Sequence, residues 1–170
     1  ISYDEEVGCR GIARMRDRLV PALGTPRAAI VGEPTEMAVA TGHKGKDVLR
    51  VDCHGTPGHS ALAPRFVNAL HIAADVVTAL RSLQQQFAAT GAQDPAYAIP
   101  YNTVHVGTLQ GGRALNMVPD RAGIACELRY LPTEDADALF KRITEASLTA
   151  LEGLLEGGDI TWFRKRAYPG

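Results

Sequence analysis

The sequence has almost no net charge and no long apolar run. Its 170 residues include 18 Lys and Arg against 19 Asp and Glu, a formal net charge of −1 at pH 7. This balance excludes the strongly basic surface with which proteins bind nucleic acid or anionic membranes. No apolar stretch approaches the ~20 residues that cross a bilayer, and no signal-peptide pattern occurs. We therefore expect a protein that binds neither nucleic acid nor a membrane.

Cysteine is also scarce. The three residues, Cys9, Cys53 and Cys126, have spacings that fit neither a zinc ribbon nor a CxxC motif. Cys53 and Cys126 fall on the apolar faces of two predicted strands, where a free thiol packs as a small core residue. We expect reduced thiols, no disulfide and a cytoplasmic location.

Three adjacent carboxylates, Asp4, Glu5 and Glu6, stand near the start of the sequence. Adjacent acids repel one another and need a compensating positive charge, such as a helix N-terminus or a metal ion. On residue type alone, an acidic first turn of the helix that follows is the favoured interpretation. Glu33, which ends a second predicted strand, reverses this preference and favours the metal interpretation.

The first part of the sequence predicts a partial α/β layer over residues 1–42. Apolar spacing predicts a helix over Gly11–Leu23, and the continuous apolar run Ala28–Val31 is typical of a buried parallel strand. A strand, a helix and another strand form one repeat of such a layer.

The pattern changes at about residue 43 and predicts an α+β domain over residues 43–167. Its predicted order is β-α-β-β-α-β, the ferredoxin-like arrangement of two helices on one face of a four-stranded antiparallel sheet. The predicted elements are a strand at 48–54, a helix at 68–87, strands at 103–109 and 122–131, a helix from the N-cap Thr133 to about Leu155, and a strand at 160–164.

Four short stretches, in order along nearly the whole chain, resemble the dinuclear-zinc amidohydrolases that include acetylornithine deacetylase and succinyl-diaminopimelate desuccinylase. Each is weak alone, and their order and spacing carry the resemblance. They are Ser2–Cys9, Ile30–Thr35, Gly42–Gly45 together with Gly58–Ser60, and Gly111–Pro119.

This resemblance implies a catalytic α/β domain that binds two divalent ions, zinc or cobalt, with a ferredoxin-like lid inserted in it. Two metals can hold both the attacking water and the developing oxyanion. The resemblance assigns proton transfer to Glu5, one metal to Glu6 and the other to Glu33. The family also draws a His and a bridging Asp from upstream and a His from downstream, which this sequence does not contain.

The resemblance gives three further residues a role. His59 would reach across a dimer interface and stabilise the tetrahedral oxyanion in the partner's active site. Asn116 and Arg129 would bind the substrate carboxylate, for which a guanidinium is well shaped. Without the resemblance, each has an ordinary interpretation: a surface loop histidine, a turn asparagine and a solvent-facing strand arginine.

The activity implied is hydrolysis of N-acetylornithine to acetate and ornithine, a step of arginine biosynthesis. Hydrolysis of succinyl-diaminopimelate or acetylcitrulline would use the same machinery, so both are alternative substrates.

We expect this sequence to be an internal fragment of a longer enzyme, in which residues 168–170 begin the return to the catalytic domain. On its own, the fragment should bind metal weakly or not at all and should be inactive. It should dimerise through the lid, by an edge strand and a helix. A non-catalytic ferredoxin-like dimerisation module is the rival hypothesis.

Overall fold

The computed structural model describes residues 10–28, 30, 32, 34–154 and 156–170. These described residues fall into two compact units, with the boundary between residues 41 and 42. In the first, α1 spans Arg10–Leu23, which confirms the predicted helix. Gly24 ends it in the left-handed region at φ 75° and donates its N–H to the Val20 carbonyl at 2.8 Å. The strand predicted at 28–31 falls partly outside the described residues, and positions 28 and 30 have no regular structure.

The second unit contains a four-stranded antiparallel sheet in the order β3-β5-β1-β6 and a two-stranded sheet formed by β2 and β4. The order of elements confirms the predicted α+β, ferredoxin-like fold. The elements are β1 (Gly45–His54), β2 (Gly58–His59), α2 (Ala69–Thr90), β3 (Thr103–Gly111), β4 (Met117–Val118), β5 (Arg121–Tyr130), α3 (Ala136–Leu148) and β6 (Asp159–Tyr168), with 3-10 turns at Ser60–Arg65 and Thr149–Leu151.

Helix α2 covers one face of the large sheet, because the side chains of β1 and β5 alternate between this face and an open one. Asn68 begins the helix: its side-chain oxygen accepts the Leu70 N–H at 2.9 Å. A stripe of buried α2 side chains then packs on β1, β3 and β5. The stripe consists of Ala69, Ile72, Ala73, Val76, Leu80, Leu83 and Phe87.

Two of the cysteines belong to this core. Cys53 and Cys126 are free and buried on the helix-covered face, as the alternating pattern predicts. Burial raises the pKa of Cys53 to about 11, with a contribution from the charge of Asp52, and burial raises the pKa of Cys126 to about 12. Both therefore remain neutral thiols at physiological pH and are poor nucleophiles.

Helix α3 is shorter than the sequence pattern predicts. Its N-cap is Asp135, whose carboxylate accepts the Asp137 N–H at 2.8 Å, so the prediction of Thr133 is wrong. Thr133 instead lies in a turn in which the Glu134 N–H donates to the Leu131 carbonyl at 3.0 Å. The helix ends at Leu148 and tightens into the 3-10 turn, well before the predicted end at Leu155.

A buried ion pair joins β1 to the edge strand β6. Asp47 is fully buried, and the Arg164 guanidinium, whose side chain is 14% exposed, donates to it at 2.5 Å. Arg164 also donates to Asp137 of α3 at 2.5 Å, and Arg166 donates to the same carboxylate at 3.1 Å. Helix α3 is thereby tied to β6 and, through Arg164, to the centre of the sheet.

We expect Asp47→Asn to lower the free energy of unfolding by about 3 kcal/mol, because it removes the anion that compensates a mostly buried guanidinium. Asp52→Asn is the matched control: its partner Arg50 lies at 2.7 Å but is 66% exposed, so the loss should stay below about 1 kcal/mol. Urea unfolding of both variants measures the difference. Equal losses would contradict a structural role for the buried pair.

Candidate functional site

The loop that carries His59 is tied down at both ends. It runs from Gly55 to Val67, between β1 and α2. The Thr56 N–H donates to the Val67 carbonyl at 2.8 Å, and the Val67 N–H donates to the Thr56 hydroxyl at 2.7 Å. The Gly55 N–H donates to the Asp120 carbonyl at 2.9 Å, which fixes the loop to the start of β5. The loop is therefore held in one place by its backbone.

His59 lies in β2 and its side chain is exposed. The Nδ1 atom accepts the N–H of Ala61 at 3.2 Å and so caps the 3-10 turn that follows. A ring nitrogen that accepts a hydrogen bond carries no proton, so the neutral imidazole has its proton on Nε2. His59 is thereby prepared as a hydrogen-bond donor through Nε2–H.

Asn116 lies directly beside His59. Strands β2 and β4 pair with His59 opposite Met117, and the Ser60 N–H donates to the Asn116 carbonyl at 3.0 Å. The Asn116 side chain is exposed. This two-stranded sheet was not predicted, because two-residue strands leave no alternation in the sequence. It brings together two candidate residues that are far apart in the chain.

Gly58 is required where the loop packs on itself. A Cβ at this position would overlap the ring of Phe66, which lies against the Gly58 backbone. Only glycine permits this approach, and it places the Gly58–His59 strand close to the end of the loop.

Arg129 lies in a different cluster, on the open face of the sheet near the end of β5. Its Nε–H donates to Glu127 at 2.5 Å, and one Nη1–H donates to the Tyr168 hydroxyl at 2.5 Å. Lys46, opposite Arg129 in the β1–β5 register, contacts the other Glu127 oxygen at 2.6 Å. The ring of His43 packs edge-on against Tyr168, with centroids 5.4 Å apart.

The charges of this cluster stabilise one another. Burial raises the pKa of Glu127, but hydrogen bonds from Lys46 and Arg129 outweigh it and hold that pKa below its usual value. Burial lowers the pKa of Arg129, and the bond to Glu127 more than offsets it, so the pKa of the guanidinium is raised. Glu127 is ionised at neutral pH, and the three charged side chains sum to one positive charge.

The two clusters are at opposite ends of β5. Asp120, next to the start of the strand, contacts the His59 loop, whereas Arg129 is eight residues beyond Arg121. At ~3.3 Å per residue this separation is about 26 Å. One protomer therefore brings His59 and Asn116 together and keeps Arg129 apart from both.

The remaining candidates, Glu5, Glu6 and Glu33, lie outside the described residues. Within the part of the chain that the structure describes, no group of three or more His, Cys, Asp or Glu side chains could hold a metal ion. The metal-binding roles of Glu6 and Glu33 and the proton-transfer role of Glu5 stay predictions from the resemblance.

Sequence reasoning missed Lys46, Glu127 and Tyr168, and gave His43 an ordinary role. The alternation of β1 and β5 places Lys46 and Glu127 on the same face as Arg129 and was visible in the sequence. The sequence did not show that Lys46 is an immediate neighbour of Arg129, because this depends on the register in which β1 and β5 pair.

Comparison with known proteins decides the family. Residues 41–153 match the model of the peptidase dimerisation domain. The chain belongs to this family. Acetylornithine deacetylase of Myxococcus xanthus is 33% identical over 132 residues, which cover 78% of this chain and 34% of that protein. The enzyme of the same name from Aliivibrio salmonicida (strain LFI1238) is 34% identical over 71% of this chain and 32% of that protein.

Solved structures support the same fold. A tripeptidase from Staphylococcus aureus matches with a TM-score of 0.53 at 21% identity, over 74% of this chain and 30% of that one. A putative amidohydrolase/peptidase from Burkholderia cenocepacia matches with a TM-score of 0.58 at 20% identity, over 75% of this chain and 29% of that one. The family resemblance drawn from the four stretches is confirmed. The chain spans about a third of the length of the curated relatives that it matches.

We expect the neutral His59 ring to carry its proton on Nε2, as nitrogen-15 NMR of the imidazole would show. His59→Ala should lower the free energy of unfolding by about 1 kcal/mol through loss of the cap, whereas His59→Asn, with a side chain that also caps, should change it by less than ~0.5 kcal/mol. A neutral ring protonated on Nδ1, or equal stability losses in the two variants, would contradict the capping role.

Proposed function

We propose that this chain is the dimerisation lid, with part of the catalytic unit, of a metal-dependent hydrolase that cleaves the amide of N-acyl amino acids. N-acetylornithine is the substrate we favour, because relatives such as those of M. xanthus and A. salmonicida are named acetylornithine deacetylase. The observation that carries the proposal is the paired placement of His59 and Asn116 at one end of the lid, with Arg129 at the other.

Each of these residues has a defined task in the proposed reaction. Water attacks the amide carbonyl, and the developing oxyanion accepts a hydrogen bond from the Nε2–H of His59. Arg129 pairs with the substrate carboxylate, to which Asn116, beside His59, adds a neutral donor. Glu5 takes the proton of the attacking water and delivers it to the leaving amine.

The metal part of the proposal rests on the resemblance. Zinc or cobalt, when bound, supplies Lewis-acid activation of water and carbonyl. Glu6 and Glu33 are the proposed ligands in this sequence, and two carboxylates alone leave both coordination shells incomplete. We therefore expect weak zinc binding by the 170-residue chain alone.

The proposal also makes this protein a homodimer whose protomers complete each other's sites. About 26 Å of β5 separates Arg129 from the end of the lid that carries the His59 loop, so one small substrate cannot contact both in the same lid. Under a two-fold axis, His59 and Asn116 of one protomer can face the substrate held by Arg129 of its partner.

The charges on the two edge strands favour β3 as the dimer edge. β6 carries Arg164, Lys165 and Arg166 in succession. Asp47 and Asp137 compensate part of this charge, and a two-fold pairing of β6 with its copy would bring the remaining positive charge near its copy. β3 contains no Asp, Glu, Lys or Arg, and Leu109 on it is 43% exposed. Beside β3, α2 presents the neutral Gln84 and Gln85 with one cation, Arg81.

We expect Leu109→Lys to convert the dimer to monomer, because the two-fold axis places the new charge near its copy on the paired β3 edges. Phe163→Lys is the matched control: Phe163 is also an exposed apolar side chain on an edge strand, at 52% exposure, but lies on β6. Sedimentation equilibrium measures both. A monomeric Phe163→Lys and a dimeric Leu109→Lys would assign the interface to β6 instead.

The experiment that tests the function is hydrolysis of N-acetylornithine by the whole protein that contains this chain, with zinc and with cobalt. We expect turnover that falls by about 10²–10³ in kcat in the His59→Asn variant, the usual effect of losing one oxyanion donor, because the shorter side chain keeps the cap but does not reach the position of Nε2–H. N-succinyl-diaminopimelate and N-acetylcitrulline are the comparison substrates. Inertness towards all three would favour the non-catalytic dimerisation module.

Mixed dimers test how the site is divided. A His59→Asn protomer paired with an Arg129→Lys protomer retains one fully intact site, so mixing two inactive variants should restore activity. A His59→Asn protomer paired with an Asn116→Ala protomer damages both sites, because both substitutions are at the same end of the lid, and should restore none. Rescue by the second mixture, or none by the first, would contradict the arrangement.

Among the described residues, the structure has no helix with the length and apolarity needed to cross a membrane. We propose a cytoplasmic location, since the expected substrate is a soluble metabolite.

A further inference from the structure

A carboxylate already lies between the two cations at the Arg129 end of the lid. Glu127 accepts from Arg129 Nε at 2.5 Å with one oxygen and contacts Lys46 Nζ at 2.6 Å with the other. The side chains of Lys46, Glu127 and Arg129 are 25%, 31% and 36% exposed, so the cluster is partly shielded from water yet open on one side. Ion pairs with this much shielding are stronger than fully exposed ones.

The Arg129 guanidinium is held from two directions. Besides the bond to Glu127, Nη1 donates to the Tyr168 hydroxyl at 2.5 Å, and the guanidinium carbon lies 5.8 Å from the centre of the Tyr168 ring. Tyr168 is itself fixed, because the Tyr130 hydroxyl donates to its carbonyl at 3.3 Å and His43 packs edge-on against its ring. The Nε–H edge, which a carboxylate can bind side-on, is the one that Glu127 occupies.

The other ion pair on the open face lacks this bridging cation. Arg50 and Asp52 also stand two residues apart on one strand, with Arg50 Nε donating to Asp52 at 2.7 Å. Of the ion pairs in the described part of the chain, the Asp52 carboxylate enters only this one, whereas Glu127 enters two. The Lys46–Glu127–Arg129 cluster therefore differs from an ordinary surface pair in having two cations around a single anion.

We infer that Glu127 is a resident carboxylate that occupies the ligand position beside Arg129, and that a substrate carboxylate binds by taking over the Arg129 Nε–H while Lys46 retains Glu127. Lys46 is then a positioning residue for the carboxylate site, and Glu127 is an internal competitor. This inference rests on the proposed role of Arg129 as the carboxylate-binding residue.

The charge of Glu127 decides which ligand carboxylates can replace it beside Arg129. Glu127 stays ionised at neutral pH, since its pKa is held low by its two partners although burial opposes this. A free carboxylate must therefore displace a charged group of its own kind, which disfavours binding of simple anions. A ligand with further contacts elsewhere in the site overcomes this competition, so the cluster selects for carboxylates that belong to a larger substrate.

The experiment is a titration of the 170-residue chain with N-acetylglycine, followed by NMR of the Arg129 Nε–H, assigned with Arg129→Lys. Glu127→Gln removes the competing charge and should tighten binding by about 3- to 10-fold, the range expected for one charge at contact distance in a partly exposed site. Lys46→Gln should weaken binding by a similar factor, because Glu127 is then held by Arg129 alone.

Asp52→Asn is the control, because it makes the same change in net charge on the same face of the sheet, opposite Gly123 near the start of β5 and away from Arg129. It should leave the affinity unchanged. Equal affinities of Glu127→Gln and the unaltered chain, an equal effect of Asp52→Asn, or no Arg129 response in any variant would overturn the inference. Hydrolysis does not enter this titration: if the whole protein cleaves no N-acyl amino acid but Glu127→Gln still tightens binding, only the proposed function fails.

Discussion

The ladder between β1 and β5 is the constraint on which the rest of the lid depends. It pairs Gly45 with Tyr130 through to His54 with Arg121 without a shift, whereas the β1–β6 and β3–β5 ladders each contain one. A slip of one residue would turn Leu49 and Val51 to the open face and carry charged side chains into the core. Because burial of these side chains specifies the register so strongly, the same register also fixes which charges meet on the open face, where Lys46 stands opposite Arg129.

The antiparallel ladder also explains why His59 and Asn116 meet. β1 ends where β5 begins, so the loop that leaves β1 and the loop that enters β5 emerge at the same end of the sheet. The bond from Gly55 to Asp120 and the pairing of β2 with β4 then join these loops. Arg129, near the other end of β5, is separated from them by the length of the same ladder. The antiparallel pairing of β1 with β5 therefore explains both why His59 and Asn116 are close together and why Arg129 is far from them.

The sequence pattern was most informative where burial is periodic and least where partners come from distant segments. Alternation predicted β1 and β5, and the apolar stripe predicted α2. The predicted strand began at residue 48, whereas β1 begins at Gly45. Asp47 lies between these two positions, and a charged residue on the buried face does not fit the alternating pattern. Its partner Arg164, which neutralises it, comes from the far end of the chain. The β2–β4 pair could not be predicted, because strands of two residues show no alternation of apolar and polar residues. The contact of Glu127 with both Lys46 and Arg129 could not be predicted either, because it depends on the register between β1 and β5. The proposed role of His59 comes from the motif resemblance alone, whereas its tautomer is assigned from the capping bond to Ala61, which only the structure shows.

The length of the sheet makes assembly part of the proposed chemistry. An N-acyl amino acid in extended form is about 10 Å long, since a residue spans at most ~3.6 Å. This is well short of the ~26 Å of β5 between the His59 end and the Arg129 end of one lid. A single substrate molecule therefore cannot contact both His59 and Arg129 of the same protomer in any orientation. A dimer solves the problem without any change in the fold, because a two-fold axis places unlike ends of two identical lids together. Under the proposed function, dimerisation completes the site, and we expect a variant that separates the protomers to lose activity even when each lid remains fully folded.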